Sequence, residues 1–229
     1  MKKFTTPYIF FFISCYAHAQ IPTQQEWKEI FYQQKSAWTQ TFVDFDVNNI
    51  VFTYDQPFRI SDYVKSVSEK DWYQYLTTYN DFLFYNKADS YFVDLLAYVY
   101  IQEKNNKYYA MADVDNAIIV GSIKDKNTIQ LAFCGTPCKY EDVYWIDDHR
   151  VVILGNTEDF NNLEKRIPFL MMADVSTRST YHFEMRHTFM KEDALFSQPK
   201  FKKLIWDFDY DEIFGNKSDI EAIELEELR

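Results

Sequence analysis

Four carboxylates surround a tryptophan in the middle of the chain. Glu141 and Asp142 precede Trp145, and Asp147 and Asp148 follow it. Two carboxylates at a suitable separation can cleave a glycosidic bond, so these residues are candidates for a carbohydrate-active ligand surface. Acidic residues are abundant in this chain, and such pairs also arise by chance. We therefore prefer the simpler interpretation, in which solvated turn residues lie beside a core tryptophan.

Three aspartates alternate near the C-terminus, at Asp207, Asp209 and Asp211. A helix–loop–helix calcium site needs glycine at its sixth position and glutamate at its twelfth. Counted from Asp207, those positions hold Glu212 and Ser218, so the calcium interpretation fails. A period of two instead predicts a strand with its aspartates in water. The apolar face of that strand would carry Trp206, Phe208 and Tyr210.

Two cysteines, Cys134 and Cys138, flank the tripeptide Gly-Thr-Pro. In an oxidising compartment we expect a structural disulfide between them, because Cα atoms four residues apart can lie within the required range of roughly 4.4–6.8 Å. Two free thiols are the first alternative. A redox-active pair is the second, although active dithiols usually have the Cys-x-x-Cys spacing.

Histidines are sparse: His149, His182 and His187 follow the N-terminal region. None of them forms an i, i+4 pair of the kind that binds zinc on a helix. The sequence also contains no Gly-x-Ser-x-Gly elbow, no phosphate-binding glycine loop and no His-Glu-x-x-His. We therefore expect no cofactor and no metal, and we assign no catalytic residue.

The N-terminus has the pattern of an export signal. Lys2 and Lys3 precede the apolar run "YIFFFIS", and small residues follow in "AHA". This pattern predicts cleavage after Ala19, which would leave Gln20 as the first mature residue. The alternative is a lipoprotein signal ending in "FISC", with Cys15 lipidated and anchored in the outer membrane. The apolar run is shorter than the about 20 residues that a membrane span needs, so we expect no transmembrane span in the mature chain.

The net charge and the hydrophobic content of the chain indicate which classes of partner it can bind. The net charge is −11, and 47% of the 229 residues are hydrophobic. An acidic protein is repelled by nucleic acids and by anionic lipid surfaces, so neither is an expected partner. The apolar content is sufficient for a folded core.

Helical patterns follow the export signal. Thr23 and Glu26 form a capping box, and Ser68 with Asp71 repeats the arrangement more weakly. Each cap precedes an aromatic stripe that we assign to core packing rather than to a sugar-binding platform. The first stripe contains Trp27, Ile30, Phe31, Trp38 and Phe42, and the second contains Trp72, Tyr75, Leu76, Tyr79, Phe82 and Leu83.

From about Asp89 the chain has the alternation and turn residues of short strands. Strands separated by short polar turns, with no helices between them, favour an antiparallel meander. A polar loop is expected from Thr157 to Arg166. The eight predicted strand segments are "SYFVDLLAYVYI", "KYYAMADV", "NAIIVGSI", "TIQLAF", "DVYWI", "RVVILGN", "PFLMMADV" and "STYHFEM".

These patterns together predict an α+β fold: an antiparallel β-meander of about eight strands with N-terminal helices and a short C-terminal helix. The expected organisation is a signal peptide over 1–19, an N-terminal helical region over 20–86, an antiparallel β-domain over 87–212 and an acidic C-terminal segment over 213–229. Ser218 and Glu221 would cap the C-terminal helix.

A resemblance covers about residues 89–186. The segments "DSYFVDL", "DVDNAIIVG", "FCGTPC", "EDVYWIDDHRVVILG" and "IPFLMMADV" resemble uncharacterised exported proteins and lipoproteins of Bacteroidota-type bacteria, and the resemblance implies no activity. Part of this stretch also has a strand–turn–strand pattern similar to that of a β-propeller blade. It is too short to close a ring of blades.

Two functional hypotheses follow from the sequence. The first is an exported, non-catalytic binding or structural module of the envelope or extracellular space, with an unknown protein or glycan as its partner. The second is an exported protein that binds or cleaves glycans. An exposed, coplanar strip of aromatic side chains would favour the second.

Overall fold

A computed structural model describes residues 21–58, 69–112, 115–185, 187–192, 194–209 and 213. The predicted signal peptide with Cys15, Ala19 and Gln20 lies outside these residues, as do Ser68, Asp211 and the predicted C-terminal helix. Among the described residues, no helix combines the length and the apolar character that crossing a membrane requires.

The first helical segment starts at the predicted capping box. The Glu26 backbone N–H donates to Thr23 Oγ1 over 3.2 Å, and the Thr23 N–H donates to Glu26 Oε2 over 2.7 Å. The segment then changes its hydrogen-bonding pattern along its length. It consists of helix α1 (Gln24–Lys28), a π-helical turn (Glu29–Gln34) and helix α2 (Ser36–Thr39).

A five-stranded antiparallel sheet forms the centre of the fold. Its strands are β2 (Ile50–Pro57), β9 (Cys138–Trp145), β10 (Arg150–Asp159), β11 (Asn162–Asp174) and β12 (Ser179–Met185). They lie in the order β2-β12-β11-β10-β9. Two details correct the expectations from sequence: β2 lies inside the region 20–86 that was expected to be helical, and the expected polar loop 157–166 is a β-hairpin.

A four-stranded antiparallel sheet covers one face of the five-stranded sheet. Its strands are β3 (Phe84–Tyr85), β4 (Tyr91–Asp94), β7 (Asn116–Ser122) and β8 (Asn127–Cys134), in the order β3-β4-β7-β8. Helix α3 (Glu69–Tyr79) and the 3₁₀ turn Asn80–Phe82 continue into this sheet. The buried side chains of the second aromatic stripe confirm its assignment to the core.

Two small sheets complete the described fold. β5 (Val99–Lys104) pairs with β6 (Lys107–Ala112), and β14 (Leu204–Ile205) joins β6 in parallel. β1 (Phe42–Val43) pairs with β13 (Phe189–Met190). Short 3₁₀ turns occupy Val47–Asn49 and Pro199–Lys203.

The α+β class with mostly antiparallel sheet is therefore confirmed at the coarse level. The described residues do not form one meander of eight strands; they form fourteen strands in four sheets. The segment "SYFVDLLAYVYI", for example, turns at residues 95–98 and gives strands to two different sheets.

Alternation along the central strands divides the core in two. Val151 and Ile153 face the four-stranded sheet, whereas Val152 and Leu154 face the first helical segment. Side chains of a strand point alternately to opposite faces, so one strand contributes to both cores. The helical segment contributes Trp27, Ile30, Phe31 and Trp38, all at most 4% exposed.

Candidate functional site

A β-bulge places two carboxylates on the same side of strand β9. Asp142 pairs with Leu154 and Tyr140 pairs with Gly155, so Glu141 is the extra residue between them. Adjacent residues on a regular strand point to opposite faces, but a bulge re-aims one of them. Both Glu141 and Asp142 therefore reach the layer of the first helical segment.

Gly155 is the residue on β10 that permits this bulge. A Cβ atom there would overlap the backbone carbonyl of Lys139 and lie 3.1 Å from Tyr140 Cα. Glycine inside a strand often marks a bulge or a close backbone approach. The close approach of the two backbones at Gly155 thus positions Glu141.

Glu141 is buried, with 4% exposure. The Trp38 indole N–H donates to Glu141 Oε2 over 2.9 Å, and the Asn156 side chain is a further hydrogen-bond partner. Burial raises the pKa of Glu141, and the hydrogen bonds from Asn156 and Trp38 and the charges of Lys139 and Arg166 oppose that rise. These contacts hold the carboxylate in one position.

Asp142 is also buried and is paired with a cation. The Lys35 ammonium lies 2.8 Å from Asp142 Oδ1. The Gln198 amide and the Val143 backbone N–H donate to the same oxygen. Burial raises the pKa of Asp142, and the Lys35 charge opposes that rise. Asp142 thus connects the helical segment, the sheet and the segment near residue 198.

The other members of the predicted ligand surface have separate structural roles. The Trp145 indole N–H donates to the Phe84 carbonyl oxygen over 2.8 Å, and the ring packs against the core. Asp147 accepts from Arg150 Nε over 2.6 Å, and Asp148 accepts from the Ala88 N–H over 3.2 Å.

The expectation for Trp145, Asp147 and Asp148 thus agrees with their placement: a core tryptophan and two turn residues. The expectation for Glu141 and Asp142 was wrong, because neither is solvated. Of these five residues, only Glu141 lines either of the two cavities described next.

Two cavities meet beside Glu141. The larger one, here called the outer cleft, has a volume of about 1240 Å³ and lies between β9, the β10–β11 hairpin and residues 189–192 and 194–195. The smaller one, here called the apolar cavity, has a volume of about 370 Å³. Asn116, Lys139 and Glu141 line both cavities, so they form a shared polar boundary.

The outer cleft has charged walls. Lys139 and Arg166 line it together with the carboxylates of Glu164 and Glu192. Asn156, which is 2% exposed, accepts from Arg166 Nε. The Lys165 ammonium lies 4.3 Å from the centre of the Phe189 ring. Sequence patterns did not identify these residues, because each is an ordinary strand residue until the hairpin and β13 are placed.

The cysteine loop forms part of the wall of the outer cleft. The Cys134 and Cys138 Cα atoms are 6.1 Å apart, which confirms that the pair lies at disulfide distance. The Pro137 carbonyl oxygen between them accepts from the Glu158 N–H over 3.0 Å and from Arg166 Nη2 over 3.1 Å. The loop therefore holds the base of the β10–β11 hairpin.

The aspartate repeat does not form the predicted strand. Only Leu204 and Ile205 are in β14, and Trp206 is 47% exposed. Asp207 and Asp209 are exposed, as expected, whereas Tyr210 and Asp211 lie outside the described residues. In the described part of the chain, no cluster of three His, Cys, Asp or Glu side chains is arranged to hold a metal ion.

The three histidines occupy separate places. His149 lies in the turn before β10, and His187 lies in a turn with a positive φ of 61°. His182 stacks on Tyr54, with ring centres 4.4 Å apart, and burial lowers the pKa of His182.

Comparison of the chain with protein-family models, with curated proteins and with solved structures gave no match.

Proposed function

We propose that this protein is an exported, non-catalytic binding module of the envelope or extracellular space, and that it holds a small ligand in the apolar cavity and the adjoining outer cleft. The observation that carries this proposal is a preformed apolar cavity of about 370 Å³ that meets a polar boundary. Ligand sites are typically concave, mostly apolar and supplied with a few polar groups, with volumes of roughly 300–1,000 Å³.

The two buried carboxylates of strand β9, Glu141 and Asp142, favour binding over cleavage. Asp142 is neutralised by Lys35 and accepts two further hydrogen bonds. Glu141 is held by Trp38 and Asn156. A glycosidase needs one carboxylate that donates a proton and another that attacks or activates water. Carboxylates already engaged in these structural contacts are poorly suited to either role.

Glycan binding has weaker support. Trp145, the aromatic residue that the sequence placed beside the carboxylates, directs its indole N–H into the fold rather than towards a ligand. The boundary shared by the two cavities consists of an amide, an ammonium and a carboxylate. Glycan binding therefore remains an outcome of the test below.

The test is a thermal-shift screen of the mature protein against small apolar, anionic and sugar ligands, with product analysis by mass spectrometry. A ligand at a hundred times its Kd should stabilise the fold by about 2.7 kcal/mol. At about 2–4 °C per kcal/mol, this raises Tm by roughly 5–10 °C. Every binder should be recovered chemically unchanged.

Turnover of a ligand, abolished by Glu141→Gln in a folded variant, would contradict the non-catalytic proposal. Binding of oligosaccharides alone, lost on Trp145→Ala with the circular dichroism spectrum unchanged, would favour the glycan-binding alternative.

The predicted export of the protein is tested separately. Mass spectrometry of the mature N-terminus should find Gln20 as the first residue if the signal over 1–19 is cleaved after Ala19. A lipid-modified Cys15 would instead identify an outer-membrane lipoprotein. An intact Met1 form in the cytosol would contradict export.

A further inference from the structure

The apolar cavity has an aliphatic and aromatic interior. Leu95 and Leu96 line it from the turn before β5, and Val99 lines it from the start of β5. Phe196, Phe201 and Trp206 line it from the C-terminal side. Leu95 and Leu96 are each 5% exposed and belong to separate core clusters. The cavity thus lies between two packed regions, and an apolar chain placed there would be removed from water on several sides.

Polar side chains also line this cavity, among them Asn116, Glu141 and Gln198, which hydrogen-bond within the protein, and Lys139. Asn116 Nδ2 donates to the Cys138 carbonyl oxygen over 3.2 Å. Gln198 donates to Asp142 and accepts from the Lys200 N–H over 3.2 Å. Glu141 is buried and accepts from the Trp38 indole.

Lys139 is the accessible charge at the mouth. Its side chain is 55% exposed, and its Nζ atom lies 3.9 Å from Glu141 Oε1, whereas the Glu141 side chain is only 2% exposed. A distance of 3.9 Å is an ion-pair distance but is too long for a hydrogen bond, so Glu141 balances the Lys139 charge while the ammonium N–H groups stay available to a ligand. An incoming ligand at the mouth therefore meets an ammonium group above an apolar cavity.

Resting on the proposed binding function, we propose that the apolar cavity binds an amphipathic carboxylate. The unbranched apolar chain of this ligand lies between Leu95, Leu96 and Phe201, and its carboxylate pairs with Lys139. A neutral ligand with the same chain would fill the cavity but lose the ion pair. A cationic ligand would place its charge beside the Lys139 ammonium and be repelled.

The test is isothermal titration calorimetry of the mature full-length protein with three probes of equal chain length: decanoate, decanol and decyltrimethylammonium, each kept below its aggregation concentration. Decanoate should bind about ten-fold more tightly than decanol, and the cationic probe should bind more weakly than both. Octanoate should bind about ten-fold more weakly than decanoate, because each buried methylene group adds to the transfer free energy.

Two substitutions locate the site. Lys139→Gln should weaken decanoate binding about ten-fold and leave decanol binding unchanged, because only the carboxylate uses the ammonium. Ala112→Phe should weaken both probes, since Ala112 is exposed and lines the cavity. Met111→Phe is the matched control: Met111 is the neighbouring residue, is 37% exposed and lines neither cavity. That variant should bind as the wild type does.

Equal affinity for decanoate and decanol, or decanoate binding that Lys139→Gln does not change, would overturn the proposal. If none of the three probes binds but the thermal-shift screen finds another ligand, the carboxylate proposal fails and the binding function stands. If a probe is chemically converted, the non-catalytic function fails instead.

Discussion

The ion pair between Lys35 and Asp142 joins the first helical segment to the five-stranded sheet, and its removal gives a sharp test of the fold. We expect Lys35→Met to lower the free energy of unfolding by about 3–5 kcal/mol at pH 7. Removing one partner of a buried pair leaves the other charge uncompensated, and losses of about this size follow. The Asp142 side chain is 4% exposed and that of Lys35 is 17% exposed, so water cannot replace the lost ammonium.

The loss should depend on pH in a defined direction. Burial raises the pKa of Asp142 even with Lys35 present, so the folded protein binds this proton more tightly than the unfolded chain does. The contribution of Asp142 to stability therefore falls as the pH rises above the ordinary aspartate pKa of about 3.9 and through the raised folded value. Without Lys35, the pKa of Asp142 in the folded protein rises further. The difference between Lys35→Met and wild type should thus shrink on acidification, because a protonated Asp142 needs no counter-charge.

The assay is urea denaturation followed by circular dichroism at pH 7 and at pH 4.5. Lys28→Met is the matched control, since Lys28 is exposed on the same helical segment, and it should change stability by less than about 0.5 kcal/mol. Adding Asp142→Asn to Lys35→Met should recover stability at pH 7. A loss below about 1 kcal/mol, or the same loss at both pH values, would refute this reasoning.

Three further predictions concern single contacts, each measured by urea denaturation at pH 7. Gly155→Ala should lower the free energy of unfolding by about 1–3 kcal/mol, because a Cβ atom would overlap the backbone of strand β9. An unchanged urea midpoint would argue against the bulge. Trp38→Phe should lower the free energy of unfolding by about 1–3 kcal/mol, since it leaves Glu141 without the indole donor. A variant as stable as the wild type would mean that this hydrogen bond is dispensable. Tyr75→Phe should lower the free energy of unfolding by a similar amount, because it removes the 2.6 Å hydrogen bond to the fully buried Asp94. Burial raises the pKa of Asp94 and this hydrogen bond opposes the rise, so a second measurement at higher pH should show no smaller loss; a smaller loss would contradict this role of Tyr75.

Local patterns in the sequence correctly predicted local structure. The capping box at Thr23 and Glu26 forms as expected, because its partners are three residues apart. The aromatic stripes around Trp38 and Trp72 are buried, because helical spacing keeps apolar side chains on one face. Such features need only neighbouring residues.

Strand β2 was missed because it is an edge strand. Its side chains are mostly exposed, and Phe52 and Tyr54 are 40% and 52% exposed. An edge strand with little burial lacks a clear alternation of apolar and polar residues, which is the signal that predicts a strand. Its pairing with β12 joins residues more than a hundred positions apart.

The candidate site could be predicted only in part. The sequence drew attention to Glu141 and Asp142, but their burial depends on Trp38 and Lys35, which are 103 and 107 residues away. One local signal was available: Gly155 is one of only 4 glycines in the chain, and an isolated glycine in a strand pattern favours a bulge. The apolar cavity had no sequence signal, because its walls come from four separate segments of the chain.

The most direct test of the account is a crystal structure of the mature protein with a decanoate that carries bromine at the end of its chain. We predict an anomalous bromine peak inside the apolar cavity, among Leu95, Leu96 and Phe201, with the carboxylate within ion-pair distance of Lys139 Nζ. A bromine peak confined to the outer cleft or the protein surface, with the apolar cavity empty, would contradict the account.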